Sequence, residues 1–519
     1  MRSSVVMLLA LACTMPVPNA DSNSAREPAC ESIPPEWPDA TTTLSRTVIP
    51  DARLPESTAL NPAFPEGLAA AEGAGLGGWS EGAGEAHTLR QELAPAHPAG
   101  AGPNRKSLAM FFHESDAQIA DTESPTRLMN GDAMGATQSA ARPQELYALH
   151  ALDALVRAVN AIHQTVSVDF ALVTGDNADS TQKNETEWFR DTLDGTRLRP
   201  DSGRDDAQLD EDCNDPIEAF TPVGLAFPWY AVAGNHDVLV QGNFALDDYI
   251  DAAVGSDAPY GTRDLSEQGG PVVDTTVPDA ERALLERSDL AAVYLDSPAS
   301  PGPVGHGFTE NDVRTNAVTW STSPVQGLRI IAVDANPAGP GEGVLSEAER
   351  DTHLIPALVA AQAADELILV TSHYATGELP MEGGGRLGDL LVQYPNVVLT
   401  VAGHYHVNRI APYGTPGDAG AFWEIQTAST VDWPGQGRLV ELVDNGDGTL
   451  SVYTTLLDYP SPDGSMAARA RALTLVDWQS GWRSEAGAGA VTDRNCELVQ
   501  VLPDGWAGVG GDVRSERLP

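Results

Sequence analysis

Asp176 stands in VTGDNAD, residues 173–179, at the end of the apolar run 168–173, and the preceding Gly175 permits a sharp turn there. Three further strings repeat the arrangement. AGNHD at 233–237, TSH at 371–373 and AGHYH at 402–406 each close an apolar, β-rich run. Four strand ends therefore present oxygen or imidazole donors, and the carboxyl ends of strands are where open α/β sheets bind ligands. Carboxylate and amide oxygens suit hard divalent cations, while imidazole accepts a wider range of metals. A pair of cations about 3.5–4 Å apart needs a carboxylate shared between them, further oxygen donors and several neutral imidazoles. Asp176 is the expected shared carboxylate.

Taken singly, each residue has a plainer reading. A Gly-Asp pair after a strand is usually a turn, Asn235 is a residue that tolerates left-handed backbone, and Asp116 reads as a helix cap. His373 alone reads as a structural histidine. His404 and His406, two apart on a strand, share one side for reasons that stability or chance would also supply. These plain readings would have to hold together at four strand ends, and on that ground the metal reading is preferred.

The elements that must position these residues follow from periodicity. Residues 108–113 read as a strand, and PQELYALHALDALVRAVNAIHQ, 143–164, places Leu149, Leu152, Val156, Val159 and Ile162 at helical spacing, so it is expected to pack on the sheet and lead to the strand before Asp176. An acidic insertion is expected at 195–228, and residues 238–325, rich in Gly, Pro and Asp, as a large insertion near the mouth of the site. Strands are expected again at 328–336, before His373 and at 396–406, with a helix started by Ser346 and Glu349 between the first two. WEIQTAS, GRLVELVDN and TLSVYTTLLD read as antiparallel strands, the last two joined at NGDG, 445–448.

With 74 acidic and 30 basic residues the chain carries a net charge of -44. Neither a nucleic acid nor an anionic membrane surface is expected as a general partner. The acidity suits a solvated surface, and high salt is one setting that would favour it. The N-terminus, MRSSVVMLLALACTMPVPNA, has one Arg, an apolar run from Val5 to Ala12 and then small residues, the pattern of an export signal. Ala10-Leu11-Ala12-Cys13 also resembles a bacterial lipobox, which would leave a lipid on Cys13 as the protein's membrane attachment. Cleaved or lipidated, the protein is expected outside the cytoplasm. Cys30, Cys213 and Cys496 then allow at most one internal disulfide. The expected organisation is a signal at 1–20, a Pro/Ala/Gly-rich extension at 21–104 whose piece 41–49 would add an edge strand, a catalytic domain at 105–460 and a tail at 461–519. Oligomeric state is not legible.

SDAQ at 115–118, GDNAD, GNHD, His373 and GHYH, in this order and at these strand ends, resemble the calcineurin-like metallophosphoesterase superfamily over about residues 107–457. TTTLSRT, the TGDNADSTQKNETEWF segment and FWEIQTAS before VDWP are similar to a group of its exported bacterial members. The resemblance implies a four-layer α/β/β/α sandwich with two mixed sheets. It implies two divalent metal ions, Mn, Fe, Zn or Mg: one held by Asp116, Asp176, His406 and Gln118, the other by Asp176, Asn235, His373 and His404. The cations would polarise a phosphate ester and lower the pKa of a water toward neutrality, yielding hydroxide as the nucleophile. His236 would stand outside the metal shell to protonate the leaving group, oriented by Asp237 or Asp179. The expected substrate is a small phosphate ester, a phosphodiester first. The alternatives are a phosphomonoesterase or nucleotidase, or a degenerate member that binds metal without turnover. Gln118 favours the last, because the family commonly has His there; His113, nearby, is expected to pack or hydrogen-bond locally.

Overall fold

The computed structural model describes residues 37, 41–95, 104–133, 137–204, 216–267, 269–339, 341–483, 487–503, 506 and 510–519. The signal and lipobox, Cys30 and Cys213 lie outside the described residues. Among those described, Cys496 is a buried free thiol, and no helix is long and apolar enough to cross a membrane.

Two sheets carry the fold, a mixed α/β architecture consistent with the expected sandwich. Across the seven-stranded sheet the order is Thr88–Arg90, Cys496–Val501, Thr449–Asp458, Gln436–Asp444, Lys106–Glu114, Phe170–Val173 and Trp229–Ala231. The last three are parallel. Across the six-stranded sheet the order is Arg409–Tyr413, Phe422–Gln426, Val397–Ala402, Leu367–Thr371, Leu328–Ala332 and Trp320–Val325, the middle four parallel. Parallel neighbours end on the same edge, which is how separate stretches of chain deliver their loops to one place.

Alternation along the strands shows what each face covers. Ile330, Leu369, Val401 and Ile425 join the core shared with Phe112, Leu439 and Val452 of the seven-stranded sheet, whereas Ile331, Ile368, Val370 and Phe422 pack with Leu354, Leu358, Leu387 and Leu391 of the outer helices. Side chains of period two thus divide one sheet between a partner sheet and a helical layer. The helix Ala148–His163 buries Leu149, Leu152, Val156, Val159 and Ile162, the positions its spacing predicts, and connects Lys106–Glu114 to Phe170–Val173.

Several elements differ from the sequence-based expectation. WEIQTAS does not join the last two strands; Phe422–Gln426 lies in the six-stranded sheet, parallel to Val397–Ala402, because its fully buried residues need cover on both faces. Within the expected extension, residues 41–95 pack on the main body, Thr43 N–H donating to the Leu456 carbonyl at 3.1 Å. Arg46–Pro50 pairs with Trp79–Ala83 in a separate ribbon, and Thr88–Arg90 supplies the edge strand instead. The stretch after 460 forms the helix Met466–Gln479 and the strand Cys496–Val501. Between 238 and 325 the chain contains short helices, the hairpin of Asp257–Arg263 with Val272–Thr275, and the strand Trp320–Val325.

Candidate metal centre

Lys106–Glu114 runs out into Asp116 and Gln118, Phe170–Val173 into Asp176, Trp229–Ala231 into Asn235 and His236, Leu367–Thr371 into His373, and Val397–Ala402 into His404 and His406. Just past their strands these loops turn abruptly. Asp116 (φ 56°), Gln118 (φ 41°), Asp176 (φ 54°), His404 (φ 73°) and His406 (φ 52°) all adopt left-handed backbone. Each such non-glycine residue costs about 1–3 kcal/mol, and strain of this kind gathers where a fold sustains it for function. The loops also meet closely. A Cβ on Gly403 would lie 2.4 Å from Asp116 Oδ2, and one on Gly234 2.1 Å from Asp176 Oδ1. Only glycine admits both approaches.

The side chains converge. His373 Nε2 lies 3.1 Å from Asp176 Oδ2 and 3.9 Å from Asp116 Oδ1, while His406 Nε2 lies 3.3 Å from Asp116 Oδ1. His404 Nδ1 is 3.1 Å from Asn235 Oδ1 and 3.2 Å from His373 Nε2. One donor atom each of Asp176, His373 and His404 lies within 4.8 Å of the others, the spacing of ligands around an ion. The backbone N–H of His404 donates to Asp116 and that of His236 to Asp176 Oδ1 at 2.9 Å, which holds both carboxylates in place.

Neighbouring groups set the tautomers. His373 Nδ1 donates to the Thr174 carbonyl at 2.8 Å, which turns Nε2 toward Asp176. His406 Nδ1 donates to Asp432 Oδ2 at 2.7 Å, which turns Nε2 toward Asp116. A carboxylate or carbonyl behind the imidazole is the usual support of a metal-binding histidine. Burial opposes charge throughout, yet the carboxylates prevail: His373 is raised to about 9 by Asp176 and Asp116, and His406 to about 9 by Asp116 and Asp432. Burial likewise resists ionisation of Asp116 and Asp176, and the histidines nevertheless hold both carboxyls below the ordinary range. His404, lowered to about 3 by burial and by His373, is neutral and keeps the lone pair of one ring nitrogen. Protons on two imidazoles thus occupy places where a cation's charge would serve equally well. Gln118 is 2 % exposed and its Oε1 has no hydrogen-bond partner among the described residues, an oxygen free to accept a hard cation. On this donor set the residues fit divalent metal.

The other predicted residues separate. His236 donates from Nδ1 to the Asp179 carbonyl at 2.7 Å, and its Nε2 stands 4.0 Å from Asp176 Oδ2. Asp237 does not orient it. Its fully buried carboxylate accepts the backbone N–H groups of Asn177, Ala178 and Gly234, tying the two loops together, and burial with the charge of Asp176 pushes it up to about 7. His113 is buried between Thr174 Oγ1 at 2.9 Å and Thr427 Oγ1 at 2.7 Å. Arg127 is fully buried on Glu145 and Asp179, behind the site.

Asp432 escaped the sequence reading. It supports His406 and is itself gripped by Arg142, 2.9 Å from Nε to Oδ1, and by Gln144 at 3.1 Å. The one available signal was its place just beyond the strand Phe422–Gln426, a further strand end of the same sheet. These groups open onto a cleft of ≈ 390 Å³ lined by Gln118, Asp176, Asn235, His236, His404 and His406 and also by Trp433, Trp478 and Arg483.

Among families of known proteins, a model described as calcineurin-like phosphoesterase matches residues 118–408. The match takes in every metal-site candidate except Asp116, and it leaves out Asp432 and all that follows. No curated protein matches the chain.

Proposed function

From a chain that belongs to the calcineurin-like phosphoesterase family, whose members carry out metal-dependent phosphoester hydrolysis, we propose an exported phosphodiesterase working with two divalent cations. The convergence of Asp176, His373 and His404, with His406 turned onto Asp116, is the observation that supports it. Asp116, Asp176, His406 and Gln118 would hold one ion, and Asp176, Asn235, His373 and His404 the other. When bound, the ions supply Lewis acidity toward phosphoryl oxygens and acidify water.

The chain's own residues do the rest. Thr174 and Asp432 hold His373 and His406 in the tautomers that offer Nε2. His236, its Nδ1 proton fixed on the Asp179 carbonyl, presents Nε2 to the cleft as the group that delivers a proton to the departing alkoxide. The cleft extends beyond the ligand cluster to Trp433 and Trp478, leaving room for a second substituent on phosphorus, which favours a diester.

The test is metal analysis of the purified protein with hydrolysis of bis(p-nitrophenyl) phosphate and p-nitrophenyl phosphate in added Mn. Turnover of the diester faster than the monoester is expected; stoichiometric metal with no turnover of either would leave a metal-binding protein without this activity. Asp176→Ala is expected to lose both ions, whereas His236→Ala keeps them and loses about 10²–10⁴-fold in rate. Export rests on the run Val5 to Ala12. It predicts a mature chain from the native host lacking its first residues or acylated at Cys13, and an intact cytoplasmic Met1 chain would count against it.

A further inference from the structure

Asp477 and Trp478 of the helix Met466–Gln479, with Arg483 and Gly487 after it, line the cleft, outside the stretch that matches the family. Trp482 Nε1–H donates to Asp132 Oδ1 at 2.8 Å, which ties the residue beside Arg483 to the body of the fold. Trp478 leans on Trp433, ring centroids 5.9 Å apart, and both line the cleft.

Two arginines face this space, and they differ. Arg142 is spent: Nε lies 2.9 Å from Asp432 Oδ1, Nη2 3.3 Å from Asp432 Oδ2, and Nη1 3.7 Å from Glu145 Oε1. Arg483 binds Asp477 through Nε and has Nη1 3.8 Å from Asp432 Oδ2. Its Nη2 is removed from solvent yet finds no hydrogen-bond partner among the described residues. A half-buried guanidinium with an unused nitrogen is set to receive an oxyanion, which its planar fork suits better than any other side chain. Asp432 Oδ2 lies between this arginine and His406 Nδ1, so Arg483 stands one carboxylate away from the metal-site histidine and lines the same cleft.

We propose that Arg483 is a specificity residue: the ester this cleft takes carries a second oxyanion, on a flat portion that packs against Trp433 and Trp478. In a chain of net charge -44 a second anionic group is repelled by the general surface, so its acceptance needs a dedicated cation. The proposal rests on the cleft being a phosphoesterase site, and its test is separate from turnover.

Calorimetry on the full chain, with and without Mn, compares phenylphosphonate, 4-phosphonobenzoate and 1,4-phenylenebisphosphonate, none of which is hydrolysed. The wild type is expected to bind one of the ligands with a second anionic group at least about tenfold more tightly than phenylphosphonate. The arm that gains identifies the second group as carboxylate or phosphate. Arg483→Gln is expected to bring that ratio to about one and Arg483→Lys to an intermediate value, with thermal melting to verify folding. Should the Gln variant not fold, the Lys variant decides by whether its ratio falls. Equal affinities in the wild type, or a preference that survives substitution, would overturn the assignment. Hydrolysis of bis(p-nitrophenyl) phosphate and p-nitrophenyl phosphate, measured in parallel, judges the phosphoesterase reading on its own.

Discussion

At the scale of single residues, the site is governed by what stands behind each imidazole. His406 owes its orientation to Asp432, at 2.7 Å from Nδ1. Asp432→Ala is therefore expected to weaken metal binding about 10–100-fold while leaving the other ligands intact, as titration with Mn followed by calorimetry would show; undiminished affinity would remove Asp432 from the support of the site. His113 illustrates the opposite case, a histidine kept neutral. Burial, aided by Arg438, lowers it to about 3. Above the unfolded value of about 6.5 it is neutral in both states and contributes nothing to pH dependence. As pH falls below that value the unfolded chain takes up a proton that the fold refuses, and stability drops by about 1.4 kcal/mol per pH unit. His113→Gln, which can still bond Thr174 and Thr427, should lose about 2 kcal/mol less than wild type between pH 6.5 and 5 in urea unfolding. Parallel curves for the two proteins would contradict this.

At the scale of elements, the C-terminal stretch is the largest departure from expectation. Cys496–Val501 lies inside the seven-stranded sheet, paired with Thr449–Asp458 on one side and with Thr88–Arg90 on the other. Leu498 and Val499 are fully buried. A chain ending at residue 460 would leave Thr449–Asp458 as a long, apolar, unpaired edge, and such edges aggregate. The truncated protein is expected to be insoluble or to elute as aggregate in size-exclusion chromatography. A soluble, cooperatively melting product would show that the segment is an accessory. Helix Ala148–His163 was readable because its apolar stripe repeats over four turns. Cys496–Val501 was not: six residues of mixed character contain too little periodicity to be told from a loop until partner strands from residues 88–90 and 449–458 are in place.

At the scale of the whole molecule, a net charge of -44 is spread over a chain with only 30 basic residues. Many of those are consumed in buried pairs, among them Arg127 with Glu145 and Arg282 with Asp121. Surface carboxylates are left to repel one another, and the Debye length falls from about 10 Å at 0.1 M salt to about 3 Å at 1 M. The melting temperature should therefore rise by several degrees over that range, and one that does not move would assign the acidity to solubility alone. The types, order and strand-end positions of the candidate donors were already legible in the sequence, because each follows closely on an apolar run that reads as a buried strand. What only tertiary structure decided is everything that depends on chain segments far apart meeting: Asp432 behind His406, Asp237 binding backbone instead of His236, and Arg483 facing the cleft with a nitrogen unused. Contacts across tens to hundreds of residues leave no periodic trace in a single chain; they exist only once two sheets have stacked and brought their loops to one edge.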